Sequence, residues 1–120
     1  MNSLSLTGRI TKDPEIKTTQ SGNLYLMFTL AVDRGWKDDK GNYITDFIPC
    51  VAWNSQAEFI SKYVQKGNML EITGSMQSRT YQTQSGENRT VIEAIVDNVR
   101  NLTPKPKEEA PAPQEPQQFN

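Results

Sequence analysis

Residues 43–53 read Tyr-Ile-Thr-Asp-Phe-Ile-Pro-Cys-Val-Ala-Trp. Strand side chains alternate faces, so Tyr43, Thr45, Phe47, Pro49, Val51 and Trp53 share one side, and Ile44, Asp46, Ile48, Cys50 and Ala52 the other. The second set is small to medium in size and largely apolar, suited to a core. The first set carries three aromatic rings, a poor choice for a plain water-facing surface. Phe47 and Trp53 stand ~20 Å apart on an extended strand, a spacing at which two flat rings can meet an extended ligand. The competing reading buries both faces and makes the rings core packing, a common use of large aromatics. The neighbouring segments decide between the two.

Upstream, Leu24, Leu26, Phe28, Leu30 and Val32 alternate with Tyr25, Met27, Thr29 and Ala31, which predicts a strand over 24–32. Leu4, Leu6 and Ile10 mark a first strand, with Gly8 placed for a bulge or bend near its end. Residues 15–18 read as a short strand between two turn signals, Lys12-Asp13-Pro14 and Gln20-Ser21-Gly22-Asn23. Residues 33–42 read as a polar loop carrying Arg34, Trp36, Lys37 and Lys40. An indole there either packs on the base of its own hairpin or meets a ligand.

Downstream, Ser55 and Glu58 fit a capping box, and Ala57, Ile60 and Val64 recur at helical spacing. Lys66-Gly67 reads as a basic last turn and a glycine stop, so one helix of about three turns is expected. A strand over 69–81 puts Leu70, Ile72, Gly74 and Met76 on one face and Arg79 and Tyr81 on the other. After a hairpin loop at 83–88, a last strand over 89–99 turns Ile92, Ala94 and Val96 inward.

Composition narrows the function. A chain of 120 residues supports one ordinary domain. With 13 Lys+Arg against 14 Asp+Glu it is not a uniformly basic polyanion binder, so any such site is a local arrangement of cations. The chain has no histidine, which removes the usual general base and the commonest nitrogen ligand for metals. The single Cys50 permits no internal disulfide and reads as a small buried hydrophobe. No metal, cofactor or catalytic residue is expected. The N-terminus lacks a signal pattern and no apolar run reaches membrane-spanning length, so a soluble protein of the cytoplasm is expected, without membrane partners. Five of the seven prolines fall from Pro104 onward, in a stretch with no glycine and little apolar content. Residues 1–103 are therefore expected to be the folded domain and 104–120 a disordered, extended tail.

Five strands with a helix between the third and fourth is the chain order of the OB-fold, a small all-β barrel. Its oligonucleotide and oligosaccharide ligands lie across a strand face and the adjoining loops. Trp36, Phe47, Trp53 and Tyr81 fall where that face would be. Arg34 and Lys37 neighbour Trp36, Arg79 neighbours Tyr81, and Arg89 lies across the hairpin. Single-stranded nucleic acid asks for this mixture, because bases stack on aromatic faces while cations follow the phosphates.

The chain also resembles the bacterial and phage single-stranded DNA-binding proteins over about residues 4–102. The likeness is carried by Leu-Thr-Gly-Arg-Ile-Thr-Lys-Asp-Pro-Glu-Ile at 6–16, Phe-Thr-Leu-Ala-Val-Asp-Arg at 28–34 and Asp-Phe-Ile-Pro-Cys-Val-Ala-Trp-Asn-Ser-Gln-Ala-Glu at 46–58. Lys-Gly-Asn-Met-Leu-Glu-Ile-Thr-Gly at 66–74 and Arg-Thr-Tyr at 79–81 complete it. The resemblance implies a homotetramer of OB-folds that wraps single-stranded DNA without marked sequence preference, protecting it during replication, recombination or repair. A dimer is the other oligomer considered; as outward aromatics near sheet edges that need covering, Tyr25 and Tyr43 are expected at a subunit contact in either. Trp36, Phe47, Trp53 and Tyr81 match the family's base-stacking positions, and Arg9, Arg34, Lys66 and Arg79 fall at or near its backbone-contacting cations. Phe59 and Tyr63 read as core or helix surface.

Cellular members of the family end in a longer glycine-rich linker and an acidic tip finishing in Pro-Phe. This tail has only Glu108, Glu109 and Glu115 and ends Gln-Gln-Phe119-Asn120. That departure favours a phage or mobile-element protein acting in a bacterial host cytoplasm, and leaves recruitment of replication or recombination proteins open. The alternative reading is an OB-fold protein-interaction adaptor of a primosome or recombination complex. An enzyme has the least support, since Asp38, Asp39 and Asp46 show no partner pattern.

Overall fold

The computed structural model describes residues 1–103; the expected disordered tail at 104–120, and the origin and partner recruitment read from it, lie outside the described residues. The strands are β1 (Leu4–Ile10), β2 (Lys17–Thr18), β3 (Leu24–Lys37), β4 (Tyr43–Trp53), β5 (Met69–Gln82) and β6 (Asn88–Asn101), with helix α1 (Asn54–Tyr63) between β4 and β5. Five are long, and β2 is a two-residue ribbon on the edge of β3. The sheet runs β1-β5-β6-β4-β3, and β1 pairs with β3 as well, which closes the ring into a barrel. β4 and β6 are parallel, and the other pairings are antiparallel. This is the expected OB-fold.

The alternating residues of β3 and β4 fill the barrel as expected. Leu26, Phe28, Leu30, Cys50 and Ala52 join Ile10, Leu70, Ile72, Ala94 and Val96 in one core. Helix α1 closes one end of the barrel through Ala57, Ile60 and the following Val64, packing against β3, β4 and β6.

Four local expectations are corrected. β3 continues past Val32 to Lys37, so the loop shrinks to 38–42. The run 33–37 looked like a loop because it carries two extra residues opposite β4, with Gly35 at φ +90°. The capping box does not form: the helix begins at Asn54, one residue before Ser55, after an extended Trp53 that makes no side-chain cap. Asn54 instead receives the Leu24 N–H on its side-chain oxygen at 3.1 Å, tying the helix start to β3. The helix also ends earlier, at Tyr63, because Val64 turns extended to enter the core. Gly67, at φ +88°, serves a separate tight turn in which Asn68 N–H donates to the Gln65 carbonyl.

The fourth correction concerns β5 and β6. Ile92, expected inward, is 55% exposed, and Met76 is 46% exposed. The β5–β6 hairpin runs on beyond the barrel, so its inward parity has no core to face. In the barrel itself Gly74 pairs with Val96 and Thr73 with Asn98, leaving Asp97 as an extra residue. That bulge flips the parity of β6, which is why Val96 and Val99 are both buried.

Three hairpin turns share one design: a Thr or Asp whose side-chain oxygen accepts the N–H four residues on, with glycine three residues on. Thr19 and Gly22, Asp38 and Gly41, and Thr83 and Gly86 fill these places. Two further glycines permit close strand approach. A Cβ on Gly8 would stand on the Ala31 carbonyl, and one on Gly74 on the Ile95 carbonyl.

Two predictions follow from this core. Gly74→Ala must displace backbone at the β6 bulge, so it should cost on the order of 2–3 kcal/mol and lower Tm by roughly 10 °C; an unchanged Tm would contradict the packing described. Burial, and next the charge of Glu93, push the Cys50 thiol from its ordinary 9.0 up to about 12. The folded state thus holds the thiol protonated where the unfolded chain ionises. Its contribution to stability is complete below pH 9.0 and is lost as pH rises toward about 12. A thiol–disulfide reagent at pH 8.5 should leave the native protein unmodified and label it only in denaturant. Equal labelling rates in both states would refute this.

Candidate nucleic-acid interface

Strand register assembles the outer face of the barrel. Opposed residues of an antiparallel pair point the same way, so Arg9, Ala31 and Phe47 form one row across β1, β3 and β4. Lys17, Tyr25 and Trp53 form a second row across β2, β3 and β4. Each row runs from a cation at the rim to an aromatic ring on β4, two strand spacings or about 10 Å away. Ala31 is small and leaves the Phe47 ring standing clear, 64% exposed. Tyr25 instead supports Trp53, with ring centroids 5.5 Å apart and planes inclined by 37°.

Between the rows, Met27 pairs with Val51 and Val51 with Ile95. They floor an open hollow of about 320 Å³ walled by Tyr25, Trp53, Gln77, Arg79 and Glu93. A second hollow of about 320 Å³ shares Met27 and Glu93 with the first and is rimmed by Lys12, Asp13, Pro14 and Lys17. The segment 12–17 therefore stands as a wall along one side of the aromatic face.

All four expected stacking residues are exposed. Trp36 lies on the bulged end of β3, beside Lys37, whose ammonium sits 4.9 Å from the Tyr43 ring centroid. Tyr81 lies beyond the hollow on β5, with the Arg79 guanidinium 5.7 Å from its ring centroid. Thus Trp53, Arg79 and Tyr81 converge on one region, Phe47 stands further along β4, and Trp36 belongs to the β3–β4 hairpin tip. Tyr25 and Tyr43, expected at a subunit contact, have partners within the chain: Trp53 for the first and Lys37 for the second.

The expected cations divide into two kinds. Arg34 donates two hydrogen bonds of 2.9 Å to Asp46. Those bonds hold the Asp46 carboxyl below its ordinary range and raise Arg34. Arg79 donates to both oxygens of Glu93, at 3.0 and 3.2 Å. Among the described residues, Arg9 and Lys66 form no salt bridge to a carboxylate. They cluster through the 65–68 turn, where Arg9 donates to the Gly67 carbonyl at 2.9 Å and the Lys66 N–H donates to Asp13 at 2.7 Å.

Sequence reasoning missed Lys17 and the supporting role of Tyr25. The signal was present in the short strand at 15–18, which has to pair along an edge and so carries Lys17 to the rim. Among the described residues no helix is long and apolar enough to cross a membrane.

The sequence and the fold have counterparts among known proteins. Residues 1–102 match the model of the single-strand binding protein family. The chain is 38% identical over 109 residues to single-stranded DNA-binding protein B of Bacillus subtilis (strain 168), covering 91% of this chain and 96% of that one. It is 42% identical over 105 residues to single-stranded DNA-binding protein 1 of Staphylococcus aureus (strain COL), covering 88% of this chain and 63% of the relative. It likewise spans 62% of the relative from Bacillus cereus. Among solved structures, a Plasmodium falciparum SSB in complex with ssDNA is similar at a TM-score of 0.74 and 26% identity, covering 86% of this chain and 96% of that one. The chain belongs to the single-strand binding protein family.

Proposed function

We propose that the chain binds single-stranded DNA with little sequence preference and carries out no catalytic step. The observation that carries this reading is the pair of cation-to-aromatic rows, Arg9–Ala31–Phe47 and Lys17–Tyr25–Trp53. Bases stack on Phe47, Trp53, Tyr81 and Trp36, and the phosphates meet Arg9, Lys17 and Lys66 at the margins. Every base has a flat face, so such a surface accepts any sequence. The protein works as a homo-oligomer, a tetramer in the favoured arrangement. It protects single strands exposed by replication, recombination or repair in the cytoplasm of a bacterial cell.

Charge shapes the affinity. Residues 1–103 hold 11 Lys+Arg and 11 Asp+Glu, and Arg34 and Arg79 are committed to carboxylates. Binding therefore leans on stacking, and its salt dependence is shallow. The test is quenching of tryptophan fluorescence by oligo(dT) at several salt concentrations, since the chain has 2 tryptophans and both are exposed on this face or its hairpin. Quenching should saturate at a fixed nucleotide-to-protein ratio, with a log–log salt slope that corresponds to fewer than about eight phosphates per protomer at ~0.7 per phosphate. Phe47→Ala should weaken binding by about 1–3 kcal/mol and leave Tm unchanged. Absent quenching, together with intact DNA binding in Phe47→Ala, would overturn the reading and favour a protein-interaction face.

A further inference from the structure

Arg79 and Glu93 differ from the other two-pronged guanidinium–carboxylate pair of the described residues. In the pair Arg34–Asp46 both partners are well exposed, at 46% and 40%, whereas the Glu93 side chain is 5% exposed beneath an Arg79 that is 50% exposed. A carboxylate buried this far needs a partner, since an unpaired buried charge is strongly unfavourable. Arg79 is that partner, and the bond is two-pronged: Nε donates to Oε1 and Nη2 to Oε2. The fork geometry fixes the plane of the guanidinium and occupies its inner edge. Hydrogen bonding to Glu93, and then its charge, raise the Arg79 pKa, so the group stays a cation. Its charge is nonetheless cancelled by a carboxylate about 3 Å away, which leaves little attraction for a phosphate. What remains available is the flat face of the ion, above a hollow shared with Trp53 and beside the Tyr81 ring.

We infer that Glu93 is a positioning residue that turns Arg79 from a phosphate-binding cation into a platform on which a base stacks, continuing the aromatic surface from Trp53 to Tyr81. This rests on the single-strand reading above and assigns Arg79 a role other than the backbone contact that the family resemblance implies. Guanidinium planes stack on bases as aromatic rings do. A base lying there would meet three flat groups, Trp53, Arg79 and Tyr81, without a formal charge being spent on it.

The test compares the full chain and its variants on oligo(dT) and on an abasic oligonucleotide of equal length, across a salt series. Arg79→Lys keeps a cation opposite Glu93 but removes the plane. It should weaken oligo(dT) binding roughly fivefold or more and leave binding to the abasic strand unchanged. The double variant Arg79→Met with Glu93→Gln removes both charges, so no buried charge is left unpaired, and its salt slope should equal that of the wild type. Glu93→Gln alone frees the guanidinium charge and should steepen the slope by about 0.7, one phosphate's worth. Equal losses on the two oligonucleotides for Arg79→Lys would show that no base stacks on the guanidinium, and a slope lowered by about 0.7 in the double variant would show a phosphate contact; either result overturns the inference. A wild-type chain that binds neither strand would instead overturn the single-strand reading itself.

Discussion

The structure depends on barrel closure at β1, a short strand that must pair with β5 along most of its length and with β3 at its end. Serving both neighbours closes the ring, and where β1 meets β3 backbone comes within contact of backbone. Gly8 against the Ala31 carbonyl is the place where a side chain would prevent it, and Gly74 against the Ile95 carbonyl plays the same part between β5 and β6. Closure fills the interior with Leu26, Leu30, Ile72 and Ala94 and leaves the sheet without a free long edge. It also sets Arg9 level with Phe47, while the pairing of β2 and β4 with β3 sets Lys17 level with Trp53. The proposed binding face thus depends on strand registers, one of them set by the closure itself.

That face combines two features that are unfavourable in isolation. Exposed rings at Trp36, Phe47, Trp53 and Tyr81 offer hydrophobic surface to water, and a neutral domain has little electrostatic pull on a polyanion. Together they make sense for a ligand that is both flat-faced and charged along one edge. In the proposed reading the rings supply sequence-tolerant affinity, and a few rim cations supply orientation. Pairing Arg34 with Asp46 and Arg79 with Glu93 tempers the field further and holds both guanidinium groups in fixed planes. Rigid, pre-oriented side chains lose less entropy on binding than free ones.

Much of this was legible in the residues. Period-two alternation located the β4 bounds and the inward set of β3, because both strands have a core on one side and demand apolar residues there. What stayed hidden were irregularities that alternation cannot encode. The two extra residues at 33–37 disguised a strand as a loop, and the extra Asp97 shifted the parity of β6. Ile92 carries an apolar side chain at an inward parity, yet the hairpin has outrun the barrel there. Ser55 and Glu58 had the spacing of a cap, but tertiary contact between Asn54 and Leu24 starts the helix earlier. For the site, parity alone put Phe47, Trp53 and Tyr81 on the outer face, while Trp36 was read as a loop residue. The rows were not visible, because Lys17 meets Tyr25, and Arg9 meets Ala31, only through pairings made between strands distant in sequence.

The most direct measurement uses the 2 tryptophans as separate reporters. In a ¹⁵N-labelled sample each indole N–H gives its own resonance, and Trp36→Phe assigns them. Both resonances should shift during titration with oligo(dT) and stop moving at the same nucleotide-to-protein ratio, with Phe47→Ala moving that end point. Stationary indole signals while oligo(dT) binds, with shifts confined to residues away from β3 and β4, would place the nucleic acid elsewhere and contradict the outer face as the binding surface.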